Sequence, residues 1–461
     1  TNLLPDLAFL GVLALVALAR FWAIRTIPVP MWGDSYQHTM IAQLMLDHGG
    51  LFRSWQPYVP YTTLTVQYGF SAASAVYAWI SGAGINQAVL WTGQVINLLA
   101  VAALYPLATR LSRGSRWAGV FAVLVGGLFV SIPAVYVNWG RYAQLAGQAV
   151  LPAALWMLWE NAASPTFDWK KILLAAAALA GMMLCYYRMP FYYASFSLAW
   201  LLIEVLPALK LNGRKWLAWL AKVVPVAIAG GLLVIPWLAR VSGSQLAENV
   251  QSGLVRTPPL TLIRADYAIW NTYADYIPPL LVLLAAAAWL WSLARHRWLV
   301  SIAALGMLAL SAIKAGQLIN LPGANMMQSY AVLIAAYIPL ALLLGDGLGA
   351  LADGLAARLP RLGAAALLTL ALLGGILGAW NQRGLADPNT YAIVTRPDLR
   401  AMDWIRQNTP TDARFLVEAF RIYGNTTAVG SDGGWWIPLL AGRQNSMPPQ
   451  YALMNEVSDP P

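Results

Sequence analysis

Long apolar runs separated by short turns fill this sequence from its start to about Trp380, and nothing else in it constrains the fold as strongly. A helix needs roughly 20 apolar residues to cross the hydrocarbon of a bilayer. In lipid, backbone N–H and C=O groups must find partners within the protein, so such runs fold as helices. On this basis spans are expected near 6–25, 87–109, 117–136, 143–159, 172–187, 191–208, 217–239, 276–293, 298–314, 327–345 and 363–380, about eleven in all. Composition points the same way. Of 461 residues, 59% are hydrophobic and only 10% are charged, against about 25% charged in a soluble domain. Too few charges exist to cover a water-facing surface. The 22 Trp residues suit the bilayer interface, where the ring is buried and its N–H stays wet. The expected class is an all-α polytopic membrane protein, and a soluble enzyme on one anchor is excluded.

The loops set the expected orientation. Arg110, Arg113 and Arg116 form one basic loop; Lys210, Arg214 and Lys215 a second; Arg295 and Arg297 a third; Arg358 and Arg361 a fourth. With eleven spans all four fall on one side, which the positive-inside rule makes cytoplasmic. The N-terminus is then inside and the C-terminal region extracytoplasmic, in a prokaryotic plasma membrane. The net charge of +10 follows from these loops. It implies attraction to anionic membrane lipid, not nucleic acid. The first run reads as a retained helix because no basic stretch precedes it. The chain starts at Thr1 and stops in Ser458-Asp459-Pro460-Pro461, and either end is read as open to extension. Cys185 stands alone, so no internal disulfide is possible, and no repeat of 20–50 residues is visible.

Three segments are left for the outer face: a first loop over about 26–86, a loop over about 240–272, and the polar tail after Trp380. Within the first loop, Asp34 to His48 and Tyr68 to Ile80 read as helices lying along the interface. Counting the second as a span would place the Arg110 cluster outside. In the tail, Arg396 to Arg406 reads as a helix and Arg414 to Phe420 as a strand. The expected domains are a transmembrane unit over 1–380 and a small α/β outer domain over 381–461.

Asp34, in Met31-Trp32-Gly33-Asp34-Ser35-Tyr36-Gln37-His38, is the first candidate for chemistry. His38 is four residues on, so a helix puts both on one face. A carboxylate there can act as a base toward a hydroxyl, and the imidazole can orient it or hold a phosphate. The competing reading is a helix-capping Asp with a His at the water surface. Asp47-His48 repeats the residue types, but Gly49-Gly50 marks a helix end. Arg141, Arg188, Arg256, Arg264 and Lys314 lie at outer ends of spans or in the outer loops, where a lipid-linked phosphate needs cations. For any one of them the competing reading is snorkelling to water, and it is the set at the outer ends that points to an anion. There is no metal-ligand cluster, P-loop or dinucleotide fingerprint. No cofactor is therefore assigned, a divalent metal is left open but not indicated, and any sugar donor would arrive through the membrane.

This layout resembles the GT-C superfamily of polytopic glycosyltransferases, which use polyprenyl-phosphate or pyrophosphate sugar donors. The resemblance rests on Asp34 after the first helix, on the apolar stretch Tyr68 to Ile80 before a span ending in Thr109-Arg110, on about eleven spans, and on Ala401-Met402-Asp403-Trp404-Ile405-Arg406-Gln407-Asn408-Thr409-Pro410 opening a soluble outer domain. It implies an inverting glycosyl transfer from a lipid-linked sugar to a protein, glycan or lipid acceptor. It also implies that the first-loop acid, here Asp34, is the base or orients the acceptor. Many relatives have two adjacent acids, where this chain has Gly33-Asp34-Ser35. Ser431-Asp432-Gly433-Gly434-Trp435-Trp436 is loosely similar to the Trp-Trp-Asp motif of oligosaccharyltransferases in another order, so Asp432, Trp435, Trp436 and Arg443 become acceptor-side candidates. The alternative is a catalytically silent GT-C-like assembly subunit, with partners the sequence does not name. A transporter is disfavoured, because ionisable residues are expected to avoid mid-span positions.

Overall fold

The structure is a computed structural model, and it describes residues 3–209, 212–244, 247, 248, 251, 260–422 and 427–447. Its main helices are α1 (Leu4–Ile24), α2 (Trp32–Asp47), α3 (Gly69–Ser81), α4 (Ile85–Leu111), α5 (Arg116–Phe129), α6 (Tyr142–Ala163), α7 (Trp169–Cys185), α8 (Met189–Leu209) and α9 (Gly213–Val241). They continue with α10 (Leu260–Tyr267), α11 (Pro279–Ala294), α12 (Trp298–Ile319), α13 (Ser329–Arg358), α14 (Pro360–Gln382) and α15 (Arg396–Asn408). Every expected span falls on one of these helices. Among the described residues, seven helices are long and apolar enough to cross a bilayer, or eight if the segments Leu260–Asp275 and Pro279–Ala294, bent by 89°, make one span. The chain is an integral, multi-pass membrane protein. Helices α5, α6 and α7 fall short of that measure. At 17 residues α7 is slightly short, and α6 carries the buried polar residues Gln144, Gln148 and Asn161 among its apolar ones.

The basic turns share one end of the bundle. Arg116 pairs with Asp6 at the start of α1 (2.6 Å), and Arg110 with Glu160 (2.8 Å) and Glu204 (3.4 Å). Arg113 donates to the His296 carbonyl at 2.5 Å. Lys210 of the second basic loop lies outside the described residues.

Some charges lie inside spans, against the expectation that such positions are avoided, and two of them show how they are held. Arg20 of α1 is buried and donates at 2.6 Å to the Asn97 and Gln382 side-chain oxygens and to the Gly127 carbonyl. Asp346 of α13 is fully buried, 2.5 Å from Arg297 and accepting from Ser292 Oγ at 2.6 Å. A buried charge is tolerated when charge or hydrogen bonds meet it, and here a neighbouring helix or turn meets each one. Hydropathy averaged along a span does not register such a pairing.

The segment between α1 and α4 corrects a second expectation. Helix α2 forms where an interfacial helix was expected, but it is packed on nearly every side, with Ser35, Gln37, His38 and Thr39 all buried. Its polar residues face protein because α3, α4 and the C-terminal region close around it. Helix α3 forms as expected. It buries Phe70, Ser74 and Ala78 and exposes Val76, Trp79 and Ile80. After α14 the chain forms α15, whose first turn is closed by a reciprocal Thr395–Asp398 capping box. Two small sheets follow: β1 (Arg414–Phe415) parallel to β4 (Gln444–Asn445), and β2 (Ala419–Ile422) antiparallel to β3 (Thr427–Gly430).

Candidate active site

At the end of the bundle away from the basic turns lies a cavity of about 600 Å³. Five parts of the chain build it. The first turn of α2 supplies Trp32, Gly33 and Asp34, and the turn before α6 supplies Trp139 and Arg141. Helix α10 and the turn after it add Leu262, Ala265, Asp266 and Ile269, and the start of α13 adds Gln328 and Tyr330. The C-terminal region closes the cavity with Phe420, Val429, Gly430, Ser431 and Trp435.

The meeting of the first two parts turns on Gly140. Its φ of +65° is in the left-handed region, and a Cβ there would lie 2.1 Å from Ser35 Oγ and 2.5 Å from the Ser35 amide. Only glycine permits that approach of the Trp139–Arg141 turn to the first turn of α2. The result is an ion pair, with Arg141 Nε 3.7 Å from Asp34 Oδ2 and both side chains about a fifth exposed. Arg141 also stands over the Tyr330 ring, 4.7 Å from its centroid. Burial pushes the Asp34 carboxyl above the ordinary aspartate range, and the Arg141 guanidinium pulls it back toward ionisation.

Trp32 opens α2 with a φ of +64°. The left-handed region costs a non-glycine residue about 1–2 kcal/mol. Its indole is 40% exposed, with the Tyr391 ring in a T-shaped contact at 5.6 Å.

The other expected site residues are distributed as follows. His38 does not line the cavity. Its Nδ1 is 3.4 Å from Ser71 Oγ, its ring meets Phe70, and burial lowers its pKa to about 4, so a neutral imidazole is sealed against α3. Arg188 is buried, donating to the Met326 carbonyl at 2.6 Å and to the Tyr186 hydroxyl. Arg264 is exposed on α10 and does not line the cavity. Lys314 is buried behind the wall, bonded to Asp266 and Gln317. Asp266 also accepts from the Ser329 amide and hydroxyl, at 3.0–3.2 Å. Arg256 lies outside the described residues.

On the C-terminal side, Trp435 and Trp436 are buried and both meet the Tyr36 ring, at 5.0 and 4.9 Å. Tyr36 is two residues past Asp34, so this contact docks the tail directly on the α2 turn. Asp432 is exposed and caps the next turn, accepting from the Gly434 amide at 2.8 Å. Arg443 is occupied elsewhere: it donates to the carbonyls of Arg406 (2.8 Å) and Thr409 (2.9 Å), pinning the end of α15. Among the described residues, no three His, Cys, Asp or Glu side chains are grouped as ligands for a metal ion. Sequence reasoning passed over Trp32 and Trp139 as site residues. A signal was present, since Trp32-Gly33-Asp34 and Trp139-Gly140-Arg141 are both Trp-Gly-charge triplets.

A family model matches residues 4–433. The chain belongs to the DUF6541 family, a family of unknown function. No curated protein matches this DUF6541 chain. Solved structures do. It is similar to the oligosaccharyltransferase of Archaeoglobus fulgidus tethered to an acceptor peptide containing the NVT sequon, at 14% identity and a TM-score of 0.53. That match covers 96% of this chain and 64% of the archaeal one. The same archaeal enzyme, AglB, in complex with an inhibitory peptide and a dolichol-phosphate, matches with a TM-score of 0.54, 13% identity and the same coverages of 96% and 64%. ArnT from Cupriavidus metallidurans bound to undecaprenyl phosphate matches at 13% identity with a TM-score of 0.50, covering 98% of this chain and 87% of that one. AglB and ArnT are GT-C membrane glycosyltransferases, and the DUF6541 chain shares their fold. The chain spans 64% of the length of the archaeal enzyme.

Proposed function

We propose that this protein is an inverting membrane glycosyltransferase that moves a sugar from a polyprenyl-phosphate-type lipid to a protein, glycan or lipid acceptor on the extracytoplasmic face. We take residues 1–380 as its transmembrane unit and 381–461 as its outer domain. The observation that carries this reading is the pairing of Asp34 and Arg141 in the wall of one cavity. In the reaction an acceptor oxygen attacks the anomeric carbon as the bond from that carbon to the phosphate oxygen breaks. Asp34 takes the acceptor proton, and Arg141 stabilises the negative charge left on the lipid phosphate. Partial burial keeps the base reactive, and the cation beside it keeps it ionised. Lys314, with Asp266, holds the wall instead of touching phosphate, and Trp435 and Trp436 hold the outer domain against α2. His38 is assigned no part in the proton transfer.

The test is transfer of radiolabelled sugar from a polyprenyl-phosphate sugar by the purified chain and its Asp34→Asn variant. Removing a general base costs about 10²- to 10⁴-fold in rate, so a loss of at least about 100-fold is expected. Transfer by Asp34→Asn at the parental rate would remove Asp34 as the base, whereas no transfer by the parental chain would favour the silent assembly subunit.

A further inference from the structure

We propose that Trp32 is the platform on which the donor's sugar ring stacks, and that this ring is a pyranose. The inference rests on the lipid-linked-sugar reading above and goes beyond it by naming a residue that selects the sugar rather than the lipid phosphate. Four observations meet at this residue. Its backbone is held at φ +64°, where glycine or asparagine would sit with less strain. Its indole is 40% exposed, so burial of the side chain does not explain a tryptophan there. The packing at this point is done by its neighbours, since Met31 and Gly33 are both buried. The indole also lines the cavity that holds Asp34 and Arg141.

The chemistry of the wall explains what such a ring is for. A pyranose has a flat patch of C–H bonds on its face and hydroxyls around its rim. An aromatic face matches the first, and polar groups match the second. The cavity offers both, since Trp32 lines it together with the polar residues Gln328, Ser431 and Asp34. Tyr391, meeting the indole at 75°, sets its tilt. Arg141 would take the phosphate in either case, so the indole and the guanidinium divide the donor between them. A tryptophan serving only as a membrane-surface anchor would not distinguish a lipid phosphate with a sugar from one without.

The experiment measures binding of two probes, decaprenyl phosphate and decaprenyl-phosphate mannose, to the full chain in detergent micelles, together with the unfolding temperature of each variant. Trp32→Gly should weaken the mannose lipid about tenfold and change the bare lipid phosphate by less than about twofold. It should unfold no earlier than the parental protein, because the backbone strain is relieved. Trp32→Phe should keep most of the preference for the mannose lipid. Equal losses on both lipids, or no loss on either, would overturn the inference, as would a fall in unfolding temperature with no change in preference. Arg141→Ala separates the two readings. If it weakens both lipids while Trp32→Gly keeps the sugar preference, only the Trp32 assignment fails. If the parental protein binds neither lipid, the donor reading fails and takes this inference with it.

Discussion

Asp34 shows how one side chain serves two opposing demands. A base must be ionised to accept a proton, yet it is more reactive when partly withdrawn from water. Burial raises its pKa and Arg141 lowers it. A raised carboxyl pKa means that the folded protein holds the proton at a pH where the unfolded chain has released it. Asp34 by itself therefore favours the folded state at low pH, and that contribution is lost as pH rises through the folded value. Activity runs the other way, because transfer needs the ionised form. The acid limb of the rate profile should lie above the ordinary aspartate range. Arg141→Ala removes the one lowering influence and should move that limb further up, besides weakening donor binding. A limb that stays in place or moves down in Arg141→Ala would show that the ion pair does not set the titration. The profile of kcat/KM against pH makes the measurement.

At the scale of elements, α13 and α3 carry the next predictions. Asp346 links α13 to Arg297 in the turn after α11 and to Ser292 of α11 itself. Breaking a buried pair on one side leaves a charge with no partner and costs about 3–5 kcal/mol. Asp346→Ala should lower unfolding stability in detergent by that order, and Arg297→Met with Asp346→Leu should recover most of it. A double variant no better than the single one would mean that the pair does more than neutralise charge. Helix α3, at 13 residues, is about 20 Å long, short of the roughly 30 Å of hydrocarbon. Its exposed face should lie along the membrane surface. Labels at Ala73 and Ile80, which share that face, should show equal depth to a lipid-borne quencher. If α3 were inserted upright, the two depths would differ by about 10 Å.

For the whole molecule, the consequential question is which end faces the cytoplasm. The basic turns share one end through their contacts with the start of α1 and with one another, and the cavity lies at the other. With Cys185 replaced by alanine, single cysteines at Arg214 and Thr411, both exposed, should label from opposite sides, the second from outside the cell. Labelling of both from the same side would overturn the orientation.

What could be read in the sequence was whatever depends on neighbouring residues. Lipid imposes helices on apolar runs, so the membrane class and the place of each expected span followed from hydropathy. The helix that starts at Arg396 and the helix end at Gly49-Gly50 are local chemistry and were legible for the same reason. Asp34 stood out because it opens a helix beside the first span. The tertiary structure decided what required separate parts of the chain to meet. Of the four candidate cations among the described residues, Arg141 is the one placed beside Asp34, because Gly140 lets its turn press against Ser35. Arg188, Lys314 and Arg443 are cations too, but their hydrogen bonds hold carbonyls, a hydroxyl or a carboxylate within the fold. His38 shares a helix with Asp34, yet α3 seals it away. Helical periodicity puts two side chains on one face, but only packing determines whether that face meets a cavity or another helix.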